Sequence, residues 1–566
     1  FLAERELNDA QREAVEHGTG PALTLAGPGS GKTTVLTERT LNLVRKTRMP
    51  EQILSVTFTN AAGEEMRNRY EEAARIHFPE LRNSGEPRFQ TVHSFCNGLI
   101  REYEKITSIR YHRIEGVSGG KTEILRKIYY EINLEEADPY LIHQIGNRSE
   151  NSSEPEIKNI KRIKAAYEQY KRQQNLLDFD DMIDVTAEIL HSDGFVQKRI
   201  REQYQEHFRF IQVDEAQDLT QIQFDILQII AASRNIFVVA DDDQSIYGFR
   251  GASPSCVSSF YRNQNDCKLY HLSKNYRSVQ NIVRTSEQFI SKNTDRFDKN
   301  LYSEKECGRM PQIKECRNSI LQAEFVVKEL RKLQRRNPYL ETGILYRNNI
   351  SGLLISAVFA KENMSYYHQG DLPESSEIVF LESVLQKIRD RERSERHILP
   401  QPIQTFRNLL EEGLEREFEL YCRDTRQHMR YKDAVLPFFF YLCSVCASWQ
   451  EAVRLLDQID AARKANAQCN ICLSTVHSAK GLEYDAVFII DAVMGEFPGS
   501  GASSGKLLEE ERRLFYVALT RARNHLYVTY PLHRGNLYEN KKTEQKSVFV
   551  TEFKQCLRAA RNTGFT

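Results

Sequence analysis

Residues 23–35 read LTLAGPGSGKTTV. An apolar β-type run, Leu23-Thr24-Leu25, enters a glycine-rich turn that ends in Gly31-Lys32-Thr33-Thr34 and opens a helix-compatible segment. This is the strand–loop–helix setting of a phosphate-binding loop. Gly27, Gly29 and Gly31 let backbone N–H groups turn inward on a phosphate with no Cβ in the way. Lys32 supplies a mobile charge for the outer phosphates, and Thr33 a hydroxyl for Mg²⁺. Ala26 and Ser30 complete the loop, with Ala26 where the usual pattern opens with Gly. A strand–loop–helix of this kind predicts an α/β fold.

Outward from the loop, the chain continues in the same style. Residues 7–15, LNDAQREAV, predict a short capped helix ahead of the first strand. Its Gln11 offers a donor and an acceptor to a planar ring. After the loop, ILSVTFTN (53–60) alternates as a strand and AAGEEMRNRYEEAARI follows as a helix. FQTVHSFCNGLIREY (89–103) repeats the strand–helix unit, which implies a parallel sheet. Residues 104–205 are helix-rich and charged and predict an inserted helical domain. Its basic run, Lys158, Lys161, Arg162, Lys164, Lys171 and Arg172, is a candidate phosphate-contacting face, and a solvated helix face is the competing account.

The sheet resumes at FRFIQVDEAQDL (208–219), where a β run ends in Asp214-Glu215. Nucleotide hydrolysis needs an acidic pair at such a strand end. Asp214 is expected to hold Mg²⁺, and Glu215 to orient and deprotonate the attacking water. IFVVADDDQSIYGFRGA (236–252) is a strand followed by a polar, aromatic loop. Gln244 there can sense a γ-phosphate. Tyr247, Phe249 and Arg250 provide two π faces and a guanidinium, which suits stacking on unpaired bases.

The totals set outer bounds. A chain of 566 residues is too long for one core and suggests roughly three to five domains. With 78 basic and 78 acidic residues, the net charge is zero. Any nucleic-acid surface must therefore be a local basic stripe. No apolar run is long enough to span a bilayer. The nearest, 434–449, contains Pro437 and predicts a buried helix, so no membrane partner is expected. Eleven scattered cysteines and no secretory signal before Leu7 suit the cytoplasm. Cys443-x-x-Cys446 and Cys469-x-x-Cys472 have a zinc-like pair-and-pair form, but one lies in an apolar helix and the other runs into a strand. Buried structural cysteines, and no structural zinc, are expected.

Taken together, AGPGSGKTT, TFTNAAGEEM, TVHSF, VDEAQD, DDDQSIYGFRGA, LSKNYRS (272–278), STVHSAKGLEYDAVFI (474–489) and EEERRLFYVALTRAR (509–523) resemble the ordered motif set of superfamily 1 helicases, and most nearly the UvrD/Rep/PcrA group. The resemblance runs from residue 11 to about residue 529. It implies two RecA-like P-loop motor domains with ATP between them, each carrying an inserted, mostly helical domain. On this pattern residues 1–103 and 206–273 form the first motor domain and 104–205 its insertion. Residues 274–379 and 467–566 form the second, and 380–466 a shortened second insertion.

The same resemblance assigns roles. Gln11 is similar to the adenine-reading glutamine and Tyr276 to the aromatic that stacks on adenine, with Thr34 beside them. Arg277 and Arg521 resemble arginine fingers that reach the γ-phosphate, Glu483 the residue near the ribose, and Gln244 the γ-phosphate sensor. On the DNA side Phe58, Thr59, Asn60, His93, Tyr247, Phe249, Arg250 and His477 match positions that line the single-strand channel. LDFDD (177–181) resembles a short motif of the first insertion and is expected to be structural. The implied activity is ATP- and Mg²⁺-dependent 3′→5′ movement on single-stranded DNA and at junctions with duplex, in repair, replication or recombination. The rival reading is an ATP-gated DNA-binding subunit, or a translocase that needs a protein partner to unwind. An RNA motor is a third.

This chain also departs from the group. Ala61 stands where the group has Lys, Gly63 where it has Ala, Thr34 where many relatives carry Arg, Phe249 where Trp is usual, and Ala240 where Gly precedes the acidic cluster. The second insertion is much shorter than in UvrD, Rep or PcrA and has no Gly-rich duplex-contacting segment. Duplex engagement through it is therefore not expected, and the tail after residue 529 holds no nuclease constellation.

Overall fold

The computed structural model describes residues 7–77, 85–114, 120–137, 141–142, 145–146, 157–248, 251–252, 255–264, 266–370, 384, 401–414, 416–417, 420, 432–464, 469–502, 504–533 and 543–562. Its contacts divide the chain into two units, Phe1–Arg277 with Asp295–Glu304, and Ser278–Thr294 with Lys305–Thr566.

In the first unit the strands are β1 (Ala22–Ala26), β2 (Ile53–Thr57), β3 (Arg88–Thr91), the two-residue β4 (His112–Arg113) and β5 (Leu176–Leu177), then β6 (Phe210–Val213), β7 (Ile236–Ala240) and β8 (Lys268–Leu272). Six of them form one sheet in the order β3-β2-β6-β7-β1-β8, and every pairing in it is parallel. A parallel sheet is covered on both faces, so its four inner strands are buried at every position. Successive side chains still point to opposite faces. Ala22, Ala26, Phe237 and Val239 join one core with Val35, Leu36 and Met66 from the helices Lys32–Thr47 and Asn60–His77. Leu23, Leu25, Val238 and Ala240 join a second core with Phe95, Leu99, Met182 and Phe224. The result is a three-layer α/β/α unit.

The helices Gly120–Asn133 and Ile160–Gln174 share a core of their own around Ile124, Ile128, Ile163 and Tyr167. LDFDD lies at the next helix start. Asp178 caps the helix Phe179–His191 in a reciprocal capping box with Asp181. Lys171 is buried against this box, 3.3 Å from Asp178 and 2.8 Å from Asp181. That corrects one expectation. Lys171 faces inward on two carboxylates and is not part of a phosphate-contacting face, while Lys158, Lys161, Arg162 and Arg172 are exposed.

The second unit repeats the plan with β9 (Gln312–Asn318), β10 (Thr342–Tyr346), β11 (Tyr367–His368), β12 (Ile471–Thr475), β13 (Tyr484–Ile489) and β14 (Ala522–His533). Their order is β11-β12-β10-β13-β14-β9, again all parallel. The helices Pro402–Glu411, Lys432–Val445 and Trp449–Lys464 put Phe406, Phe439, Leu442, Trp449 and Ile459 into the same core as Val326, Phe359, Leu473 and Phe488. The apolar run around Pro437 is a buried helix, as its composition predicted. No described helix is long and apolar enough to cross a membrane.

Two features differ from the expected domain limits. Residues 274–277 and 295–304 pack with the first unit. The chain leaves that unit after Arg277, forms the helix Gln280–Ile290 in the second unit, and returns at Asp295–Glu304.

Candidate nucleotide site and strand interface

Strand order builds the site. β6, β7, β1 and β8 are consecutive and parallel, so their C-terminal ends open on the same edge, where α/β sheets bind ligands. The segments that follow those ends are Asp214-Glu215, Asp241–Gln244, the loop 27–31 and residues 273–277. Four stretches far apart in sequence are thus neighbours.

The loop is shaped by left-handed glycines. Gly29 has φ +66° and Gly31 φ +86°, and Gly31 precedes the helix Lys32–Thr47. That helix presents its first N–H groups and its positive dipole end to the loop. Ser30 Oγ donates to Gly27 O at 2.8 Å. The segment after β8 latches on from the other side, where Asn275 Nδ2 donates to Pro28 O at 2.7 Å and Tyr276 N to Gly29 O at 2.8 Å. Thr33 and Thr34, in the first helical turn, are half-buried.

Gln11 is buried in a capping box with Asn8, and its Nε2 donates to Ser30 O at 2.9 Å. Its Oε1 accepts from Asn8 N at 3.1 Å and from Tyr276 Oη at 3.4 Å. One of its N–H groups and both of its lone pairs are therefore engaged. A purine edge that brings a donor must displace Tyr276 Oη, the longer of the two contacts. Tyr276 itself is 39% exposed, which leaves a ring face for stacking, and its Oη accepts from Asn8 Nδ2 at 2.9 Å.

Lys32 Nζ lies 2.9 Å from Glu215 Oε1. Burial alone would lower the Lys32 pKa, but the carboxylates of Glu215, Asp241 and Asp214 outweigh it, and the ammonium is held above its usual value. Asp214 is pushed up to about 7, first by burial and then by the neighbouring Glu215 charge, with Lys32 opposing. Glu215 sits at φ +48°, ψ +41°, a left-handed conformation that costs a non-glycine residue roughly 1–3 kcal/mol and clusters at functional sites. Its backbone N–H donates to Asp214 Oδ1 at 3.0 Å, and its Oε2 accepts from Gln217 Nε2. Gln244 is buried, with Nε2 2.5 Å from Asp241 Oδ2.

Asp241, Asp242 and Asp243 form the one group of acidic, His or Cys side chains, among the described residues, close enough to share an ion. Protein cations hold it. Lys299 Nζ contacts all three carboxylates at 2.6–2.8 Å, and Arg296 forks onto Asp243 at 3.0 and 2.8 Å. Cys443, Cys446 and Cys472 are buried and Cys469 half-buried, and Cys472 Sγ accepts from Tyr484 Oη at 3.2 Å.

Two expected nucleotide ligands belong to the second unit. Arg521 is buried, with Nε donating to Val517 O at 3.0 Å and Nη1 to Leu482 O at 3.1 Å. Glu483 takes Arg523 on one oxygen at 3.0–3.1 Å. Arg277 stays with the first unit, its N–H held by Asn275 Oδ1 at 2.9 Å.

On the strand side, Phe58 and Tyr247 stack with ring centroids 5.0 Å apart and planes 20° apart. Thr59 accepts from Ala62 N at 3.2 Å at the start of the Asn60–His77 helix, and Thr59 and Asn60 are exposed. The His93 ring meets the edge of Phe179, 5.4 Å away. Phe179 is 53% exposed. It comes from LDFDD, expected to be structural only, and an exposed aromatic at a helix N-terminus was the available signal. His477 lies in the turn after β12 of the second unit. Phe249 and Arg250 lie outside the described residues.

Comparison with known proteins places the chain in a family. The family model for the UvrD/REP helicase N-terminal domain matches residues 7–265. The model for the UvrD-like helicase C-terminal domain matches 270–433 and 447–533. The chain is similar to the ATP-dependent DNA helicase PcrA of Staphylococcus epidermidis, at 29% identity over 98% of this chain and 87% of the relative. It is similar to the PcrA of Staphylococcus aureus at 27% identity, over 99% and 87%.

Proposed function

The chain belongs to the UvrD/Rep-like helicase family, and we propose that it is a single-stranded DNA translocase and helicase that moves 3′→5′ on ATP hydrolysis. Enzymatically it is a DNA-dependent ATPase of the ATP-dependent DNA helicase class. The observation that carries the proposal is the pairing of Lys32 with Glu215 beside Asp214, at the ends of adjacent parallel strands. A binding-only loop has no use for a carboxylate held there in a left-handed backbone.

In the hydrolytic step Glu215 takes a proton from water as the water oxygen bonds to the γ-phosphorus. The bond from that phosphorus to the β–γ bridging oxygen breaks, and ADP leaves with that electron pair. Lys32 and the N–H groups of the loop offset charge on the phosphate oxygens. Gln11 and Tyr276 orient the base. Thr33 and Asp214 would hold Mg²⁺, whose chemistry is to offset charge on the β- and γ-oxygens. They fit that ion, because Asp214 is a buried carboxyl short of positive charge. Roles for Arg277, Arg521, Glu483 and Gln244 at the γ-phosphate or ribose follow the family pattern.

For the strand, Phe58, Tyr247 and Phe179 offer π faces to bases. Thr59, Asn60, His93 and His477 offer short polar groups to phosphates, a combination that grips without reading sequence. Phe249 and Arg250 complete that list on the family pattern. The substrates are single-stranded DNA and its junctions with duplex, in the cytoplasm, during repair, replication or recombination.

A second reading, a translocase that needs a protein partner to unwind, is favoured by one observation. The described helices of the second insertion are spent on the motor core rather than on a core of their own. The test is ATPase activity with and without single-stranded DNA or RNA, alongside unwinding of duplexes tailed at either end. Strand-stimulated ATPase with unwinding from a 3′ tail is expected. No stimulation by DNA sinks the motor. Stimulation without unwinding supports the partner-dependent reading.

A further inference from the structure

Glu215 is held on both carboxylate oxygens. Lys32 takes Oε1, and Gln217 takes Oε2. Gln217 is completely buried, and its other amide atom is also used, since Oε1 accepts from Asp241 N at 2.9 Å. Its backbone carbonyl accepts from Ser245 Oγ at 3.0 Å. The amide therefore spans from the turn after β6 to the turn after β7. Asp241 carries the chain onward in two directions. Oδ2 accepts from Gln244, and Oδ1 meets Lys299 Nζ at 2.8 Å. Lys299 and Arg296 come from the segment that returns to the first unit after the helix Gln280–Ile290, and Phe297 N donates to Asp242 Oδ2 at 2.7 Å.

We propose that Gln217 is a positioning residue for Glu215, and that Lys299 anchors the far end of the same hydrogen-bonded chain. This rests on reading Glu215 as the base. A left-handed carboxylate between two partners has a defined aim only while both are present. Lys32 is the partner that a phosphate competes for. Gln217 is the one that stays, because its amide is fully buried and its second contact is to main chain. Lys299 keeps Asp241 in place against two like charges beside it, so that the Asp241 N–H remains on Gln217 and its carboxylate on Gln244. Base and sensor thus share one support, and that support is delivered by a segment placed between two passages of chain through the second unit.

The experiment measures DNA-stimulated ATP hydrolysis in the full chain for Gln217→Ala, Lys299→Met, Lys299→Arg and Glu215→Gln, and for Gln217→Ala combined with Glu215→Gln. A base out of place by about 1 Å loses roughly 100-fold in rate. Gln217→Ala is therefore expected to lower kcat about 10- to 100-fold, with KM for ATP within about threefold. Lys299→Met should show the same split and Lys299→Arg should restore most of kcat. Gln217→Ala should add nothing once Glu215 is Gln, because residues acting through one group are non-additive. Wild-type kcat in Gln217→Ala, beside an inactive Glu215→Gln, overturns the relay alone. So does a loss of kcat matched by an equal rise in KM, or a further loss in the double variant. Wild-type turnover in Glu215→Gln overturns the base assignment and the relay with it. If Lys299→Met fails to fold, the Gln217 variants alone decide.

Discussion

Lys32 Nζ stands 2.9 Å from Glu215 Oε1, so the cation proposed for phosphate and the carboxylate proposed for water are one ion pair. The Glu215 carboxylate helps hold the half-buried Lys32 ammonium charged against the cost of its burial. Lys32→Ala is expected to abolish turnover and weaken nucleotide binding together. Glu215→Gln should cost the roughly 10²–10⁴-fold of a general base while nucleotide binding, read by a fluorescent analogue, is retained. Substantial hydrolysis by Glu215→Gln removes it as the base.

Asp214 makes function and stability pull apart. Its carboxyl is pushed from 3.8 to about 7 in the folded protein. Between those values the folded state keeps a proton that the unfolded chain has lost, so this group's contribution falls as pH rises and its penalty is complete above pH 7. The upper size is about 4 kcal/mol. Asp214→Asn is expected to be inactive yet more stable to denaturant than wild type at pH 8, with the gain shrinking towards pH 4. Equal stability at both pH values would refute this.

The loop glycines are held to their shape by neighbours. A methyl at Gly29, at φ +66°, would lie 2.6 Å from Arg277 Cβ, and one at Gly31, at φ +86°, 2.7 Å from Gln11 Nε2. Gly29→Ala and Gly31→Ala should each destabilise by roughly 1–3 kcal/mol and lose ATP affinity. Gly98→Ala is the contrast. Gly98 lies in the helix Val92–Thr107, where an added methyl meets nothing within 4 Å, and the change should stabilise by about 0.5–1 kcal/mol. Thermal unfolding of the three variants checks both signs.

The Phe58–Tyr247 stack predicts a split between two ATPase rates. Loss of one base-stacking ring costs roughly 1–3 kcal/mol of single-strand binding. Phe58→Ala and Tyr247→Ala should therefore raise the DNA concentration for half-maximal stimulation about 5- to 100-fold, with basal ATPase near wild type. An equal fall in both rates would count against base stacking.

Much of the fold is legible in the sequence. The alternating run at 53–60, the strand–helix unit at 89–103 and the β runs within 208–219 and 236–252 predict the strands found at 53–57, 88–91, 210–213 and 236–240. The proposed site sits where such runs end, because a parallel sheet sends its C-terminal ends to one edge. Charge was harder. Lys171 looked like one more basic residue on an exposed run, yet it is buried on Asp178 and Asp181. Nothing in the spacing of a lysine tells whether its partner is water or a carboxylate from the next helix. Gln11 was expected to offer both its donor and its acceptor to a ring, and its acceptor is already engaged by Asn8 and Tyr276. Phe179 had no visible partner until His93 was placed against it.

The sequence by itself determined the family, the α/β layering and the identity of the phosphate loop. Those depend on short-range patterns, namely which residue follows which across a turn or along a strand. Tertiary structure decided which polar groups share a bond. Gln217 bridges Glu215 and Asp241, and Lys299 closes on three aspartates more than fifty positions away. A buried charge or amide must find its partner wherever the fold supplies one. Here that partner comes from an adjacent strand end or a returning segment, and separation along the chain carries no mark of it.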